Sequence, residues 1–197
     1  ELGAPEGRSV CFDINATCMS FLVALQTAAH FIAAGLYQRI VIFSSEIVSP
    51  SLNPAEWESA ALFGDAAAAA VLTRSADGAA SAIWQSKFAT YSSGADLTRC
   101  VGGGTLHHPN HPDTTSAMNM FAMQGPAIFR QALRIMRPFV DDFFSTLGWE
   151  RGQVAAVVPH QASRHAVEQL SGRLGFRQDQ VVTNLQLRGN CVACLLY

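Results

Sequence analysis

The sequence predicts an α/β protein, and three observations predict it. Residues 39–45 (Arg-Ile-Val-Ile-Phe-Ser-Ser) form a continuous β-branched run, the pattern of a strand covered on both faces. The stretch before it, residues 18–36, is apolar and of helix length. Near the other end, a second apolar strand pattern at 154–158 is followed by a helical pattern at 162–174. Strands that alternate with helices along the chain define the class.

Residues 10–15 (Val-Cys-Phe-Asp-Ile-Asn) read as a strand entering a turn. Asn15 and Thr17 are helix-capping types, and Gly35 ends the helix that follows. With 39–45 this gives strand, turn, buried helix, strand: a βαβ unit. Residues 49–64 are rich in Pro, Ser and Asn and read as a loop. Alanine propensity alone would make 66–70 helical. The run is short and lacks a helical apolar pattern, so a strand is expected. Residues 80–91 read as another strand and 92–117 as a long surface excursion. Residues 121–147 carry Ile128, Ile135, Phe139 and Phe143 at helical intervals, with Pro138 expected to kink or divide the helix. Gly175 closes the helix at 162–174, and 181–183 is a last strand. A βαβ-like unit near each end hints at an internal duplication.

Apolar residues make up 49% of the 197 and charged residues 14%, which excludes disorder. Thirteen basic and fifteen acidic side chains, without a basic block, give no nucleic-acid footprint. Residues 21–36 contain Gln26 and His30 and are too short to span a bilayer, so no membrane partner is expected. Five cysteines without a secretory signal suggest a reduced cytoplasmic protein with free thiols. Cys191 and Cys194 form one Cys-x-x-Cys pair, but not in the strand-to-helix setting of a redox motif. His107, His108 and His111 are interrupted by Pro109 and Pro112, so no metal is expected. Gly102-Gly103-Gly104 lacks the Lys-Ser/Thr of a phosphate loop.

Cys18 carries the sharpest chemical signal. It falls where a strand pattern turns into an apolar helix, and a helix N-terminus favours a thiolate. A depressed pKa and the fastest alkylation among the five thiols are therefore expected, with Ala16 and Ser20 leaving room for a substrate. A buried cysteine acting as a small hydrophobe is the competing reading. His160 lies just past a strand end, where α/β proteins place working residues. Asn190 lies in a Gly-Asn turn pair. Either alone would be unremarkable.

Together their surroundings resemble one family. Phe-Asp-Ile-Asn-Ala-Thr-Cys-Met-Ser-Phe (12–21) resembles the nucleophile turn of β-ketoacyl-acyl-carrier-protein synthase III, within the thiolase-fold condensing enzymes. Leu-Phe-Gly-Asp-Ala-Ala-Ala-Ala-Ala-Val-Leu (62–72) resembles its Phe-Gly-Asp strand, which favours a strand for the alanine run. Met-Gln-Gly-Pro-Ala-Ile-Phe (123–129), Val-Pro-His-Gln-Ala (158–162) and Gly189-Asn190 follow in family order. The resemblance implies a partial thiolase-like layered α/β fold. Residues 1–75 would be the later part of its N-terminal half and 76–197 most of its C-terminal half. It implies a catalytic set of Cys18, His160 and Asn190 and no cofactor. The substrates would be thioesters of coenzyme A or acyl carrier protein, and the full-length form a homodimer. Cys18 would take an acyl group, its backbone amide serving the oxyanion hole. His160 and Asn190 would donate hydrogen bonds to a malonyl-type thioester as it loses carbon dioxide, giving a β-ketoacyl product. On the same fold, a non-decarboxylating condenser, a simple acyltransferase or a non-catalytic subunit are alternatives.

Some positions depart from the family pattern. Met19 and Ser20 replace smaller residues after the nucleophile, which changes the expected acyl pocket. Alanines replace glycines after Asp65. The family's last strands and a large section before the nucleophile lie outside these 197 residues, so the sequence reads as a fragment. Arg130, Arg134 and Arg137 share one helix face and, with Arg164 and Arg173 as an extension, form a candidate docking strip for an acidic carrier protein or coenzyme A phosphates. A solvated face is the plainer reading. The arginine that relatives place five residues after the motif histidine is His165 here.

Overall fold

The computed structural model describes residues 3 and 6–196. A 3-10 turn at Thr17–Met19 leads into helix α1 (Ser20–Ala33), followed by strand β1 (Arg39–Glu46). After a short helix α2 (Trp57–Ala60), strand β2 (Ala66–Thr73) pairs antiparallel with β1 along its whole length, from Arg39 opposite Thr73 to Glu46 opposite Ala66. The alanine run is thus a strand. Pairing with β1 gives the backbone groups on one edge of the run partners that it does not have to find locally. A second, short ribbon joins β3 (Thr98–Cys100) to β4 (Phe121–Met123). Helices α3 (Gly125–Leu147), α4 (Arg164–Arg173) and α5 (Leu185–Arg188) follow, with a 3-10 segment at Val192–Leu196.

Several expected elements take a different form. Residues 10–15 and 80–91 are not strands, so the first βαβ unit reduces to α1 followed by the β1–β2 hairpin. The strands expected at 154–158 and 181–183 reduce to one parallel bridge, Val157 to Val181. In each case the residues favour extended backbone, but a ladder needs a neighbouring strand in register. Residues 121–123 form β4 instead of opening the long helix. That helix starts at Gly125, with Pro126 in the first turn, where its missing N–H is harmless. Pro138 does not divide α3, which continues for 23 residues with Pro138 on its exposed side.

Burial also departs from expectation. Of α1, Ala28 and Ile32 are fully buried and most other positions half-buried. β1 alternates, Ile42 inward at 8% exposure and Phe43 outward at 65%, so the strand is covered on one face only. One core joins α1 and β1 to Cys191, Ala193 and Cys194; the thiol of Cys194 lies 3.3 Å from the carbonyl oxygens of both Ser44 and Ala66. The other core centres on Phe144 of α3, 5.9 Å from the Phe176 ring, with the Arg151 guanidinium over its face at 4.3 Å. Among the described residues, no helix is long and apolar enough to cross a membrane.

Candidate active site

Cys18 sits in the 3-10 turn ahead of α1, and the turn is tied locally. Asn15 Oδ1 accepts from the Thr17 amide at 3.0 Å. Ser20 Oγ accepts from the Ala16 amide at 2.9 Å and donates to the Thr17 carbonyl at 2.7 Å. Ser20 therefore braces the turn rather than clearing space beside it. Thr17 has φ 48°, an uncommon conformation for a β-branched residue, and these bonds hold it there.

The expected depression of the Cys18 pKa is overturned. Burial pushes the thiol above its ordinary value of 9.0, a hydrogen bond from its own backbone amide opposes this, and the Glu46 carboxylate adds to the rise. Desolvation of the thiolate outweighs the help of the turn. The order of alkylation changes with it. Cys11 and Cys100 are exposed and Cys18 half-buried, so brief iodoacetamide treatment should label Cys11 and Cys100 first. The Cys18 rate should still be climbing with pH beyond 9.0. Peptide mapping by mass spectrometry checks this, and labelling led by Cys18 at neutral pH would show a thiolate that burial has not suppressed.

His160 follows the Val157–Val181 bridge and Pro159. The neighbouring Gln161 is 1% exposed, and its Oε1 accepts from the amides of Asn184 at 2.9 Å and Leu185 at 3.1 Å. Sequence reasoning missed this anchor; an amide side chain directly after the histidine was the available signal. His160 opens into a cavity of about 1170 Å³ whose wall includes Met19, Leu22, Phe129, Met136 and Phe143. The residue is exposed toward that cavity, yet the protein around it desolvates the charged ring enough to push its pKa below 6.5. His160 is thus neutral at pH 7, with one ring N–H to donate.

That shift has a stability consequence. A base held neutral by the fold contributes stability that is present above the unfolded value of 6.5 and lost as pH falls through the lower folded pKa. Denaturant titrations at pH 7.5 and 5.5 should give a smaller loss on acidification in His160→Gln than in the parent. An equal loss would place the acid-sensitive group elsewhere.

Asn190 is 5% exposed. Its amide donates to the Leu62 carbonyl at 2.6 Å and its carbonyl accepts from Gly64 at 3.1 Å, a parallel bridge to Phe63. Its Oδ1 accepts from the Val192 amide at 3.0 Å, which leaves Nδ2 as the donor end. The 192–196 segment that follows packs against the Cys18 turn. The structure therefore joins the Asn190 region to the Cys18 turn, and Met19 and His160 both line one cavity.

The arginines are less uniform. Arg130 and Arg134 are exposed on α3, while Arg137 lies 3.6 Å from Asp141 and donates to the Arg173 carbonyl. Arg164 is paired with Glu168 at 2.7 Å.

Two family models match the chain: 3-oxoacyl-[acyl-carrier-protein] synthase III over residues 12–92, and the C-terminal part of the same synthase over residues 144–196. The chain belongs to the 3-oxoacyl-[acyl-carrier-protein] synthase III family. A β-ketoacyl-[acyl-carrier-protein] synthase III from Desulfitobacterium hafniense (strain Y51) is 34% identical, over 98% of this chain and 57% of that protein. The crystal structure of a 3-oxoacyl-(acyl carrier protein) synthase III from Pseudomonas aeruginosa PAO1 superposes with a TM-score of 0.80 at 28% identity, covering 95% of this chain and 56% of that one. Another synthase III crystal structure gives a TM-score of 0.88 at 21% identity over 99% and 60% of the two chains, a likeness of fold. The fold is thus the thiolase-like α/β fold of the synthase III family. The chain spans about 57% of the length of two curated relatives that it matches.

Proposed function

We propose that the protein containing this chain is an acyltransferase that condenses an acyl thioester with a malonyl-type thioester through an acyl-Cys18 intermediate. Two observations support this reading: the Cys18 turn packs against the segment after Asn190, and its neighbour Met19 lines the same cavity as His160. In the first half-reaction the Cys18 sulfur attacks the acyl carbonyl and the carrier thiol leaves with the proton, so no redox partner is needed. Because burial keeps Cys18 protonated at rest, the proton must leave as the C–S bond forms. In the second, the malonyl-type thioester loses carbon dioxide, and the N–H of neutral His160 and Nδ2 of Asn190 stabilise the enolate oxygen. The enolate carbon attacks acyl-Cys18, the tetrahedral oxygen resting on the Cys18 amide, and the Cys18 thiolate leaves and regains a proton. The product is a β-ketoacyl thioester.

Residues 1–75 would bring the nucleophile and 76–197 the two donors. The acyl carrier is coenzyme A or acyl carrier protein, with Arg130 and Arg134 better disposed to meet its phosphates than Arg137 and Arg164, which already have local partners. Catalysis needs no metal or organic cofactor. The full-length form would be a cytoplasmic homodimer. The test is incubation with acyl-coenzyme A followed by peptide mapping. An acyl group on Cys18, then a β-ketoacyl product on adding malonyl thioester, is expected. An acyl group on any other cysteine rejects the assignment.

A further inference from the structure

Two glycines far apart in sequence allow two stretches of backbone to touch beside Asn190. A Cβ added to Gly64 would overlap the carbonyl oxygen of Arg188. A Cβ on Gly189 would lie 3.0 Å from the Phe63 carbonyl carbon and 3.1 Å from the Leu62 carbonyl oxygen, and Gly189 already holds φ 68°. Neither contact ends on a flexible side chain that could move aside. Both peptide hydrogen bonds of the Phe63–Asn190 bridge depend on this approach. The next residue, Asp65, fixes the 62–64 segment from the other side. Its carboxylate accepts from the Val48 amide at 2.8 Å, the Ser49 amide at 3.0 Å and Ser49 Oγ at 2.7 Å. These donors hold the carboxyl below its ordinary pKa, so the anchor is charged at neutral pH. The Phe63 ring adds an edge-to-face contact with Phe121 at 5.0 Å.

We infer that Gly64 and Asp65 are positioning residues for the enolate-stabilising amide: Gly64 admits the Arg188–Asn190 backbone, and Asp65 holds the seat in place. The inference rests on the role proposed for Asn190. A shift of about 1 Å in a positioned group can cost roughly a hundredfold in rate. A methyl group at Gly64 must displace the Asn190 backbone or the 62–64 segment by a comparable distance.

The test measures the two half-reactions separately in the active polypeptide carrying this chain. Gly64→Ala should lower decarboxylation of malonyl thioester on the order of tenfold to a hundredfold. Acylation of Cys18 should fall only with the folded fraction, read from circular dichroism and Tm. Gly64→Ala combined with Asn190→Ala should decarboxylate no more slowly than Asn190→Ala alone, since both act through one side chain. Asp65→Asn removes an exposed charge without adding bulk; it should show a smaller loss in the same half-reaction and keeps the inference testable if Gly64→Ala does not fold. An effective Asn190→Ala beside silent Gly64→Ala and Asp65→Asn variants, or losses that add in the double variant, overturns the positioning role alone. Asn190→Ala without effect on decarboxylation removes the proposed function, and this inference with it.

Discussion

Replacing Cys18 by alanine should eliminate acyl-enzyme formation and, with it, condensation, whereas His160→Ala should spare part of the acylation while losing decarboxylation. The two substitutions separate because the half-reactions use different atoms. Acyl transfer needs the sulfur, a stronger nucleophile than the Thr17 and Ser20 hydroxyls, of which Ser20 is engaged in bracing the turn. Enolate formation needs donors aimed at the thioester oxygen, and loss of one such donor costs on the order of a hundredfold to a thousandfold. The neutral state of His160 suits a donor: desolvation lowers its pKa, so the ring keeps one N–H and carries no charge at pH 7. The raised pKa of Cys18 gives the opposite outcome physical content, because a thiol that is protonated at rest could use a base. Rapid-quench measurement of acyl-Cys18, alongside carbon dioxide release from malonyl thioester, distinguishes the two. If His160→Ala loses acylation as completely as Cys18→Ala, His160 is removing the thiol proton and the division of labour is different.

Local signals in the sequence led to local structure. The turn before α1, glycines ending helices and the amphipathic period of α3 depend on residues a few positions apart, and each lies close to where the sequence placed it. The β-rich runs at 154–158 and 80–91 did not become ladders, because strand formation depends on a partner that the run itself does not specify. Gln161 and Gly64 were visible as letters within motifs. What they do was not, since the backbone each one meets belongs to a distant part of the chain. The Cys18 pKa was misjudged for a related reason: helix position can be read from neighbours, but burial and the approach of Glu46 come from tertiary packing.

The 197-residue chain, expressed alone, should self-associate through the open face of the β1–β2 ribbon. The register places Val41 opposite Val71 and Phe43 opposite Ala69. Val41, Phe43 and Val71 are 47%, 65% and 63% exposed, so one face of the hairpin is apolar and uncovered. Covering such a side chain completely is worth about 1.5–3 kcal/mol, so burying this patch on two chains at once favours their association. Among the described residues, each strand of this two-stranded sheet also has an edge that carries no ladder, and such an edge can template pairing with another chain. The apolar face and the unpaired edges act in the same direction. Size exclusion with light scattering should show dimers and larger species that grow with concentration. Phe43→Lys should shift the distribution toward monomer, because a lysine on that face must be desolvated on association. Its effect on the fold should be small, since the side chain already points outward. A parent chain that remains monomeric at the highest concentrations measured, or a Phe43→Lys variant that associates as strongly as the parent, would show that this face does not drive assembly.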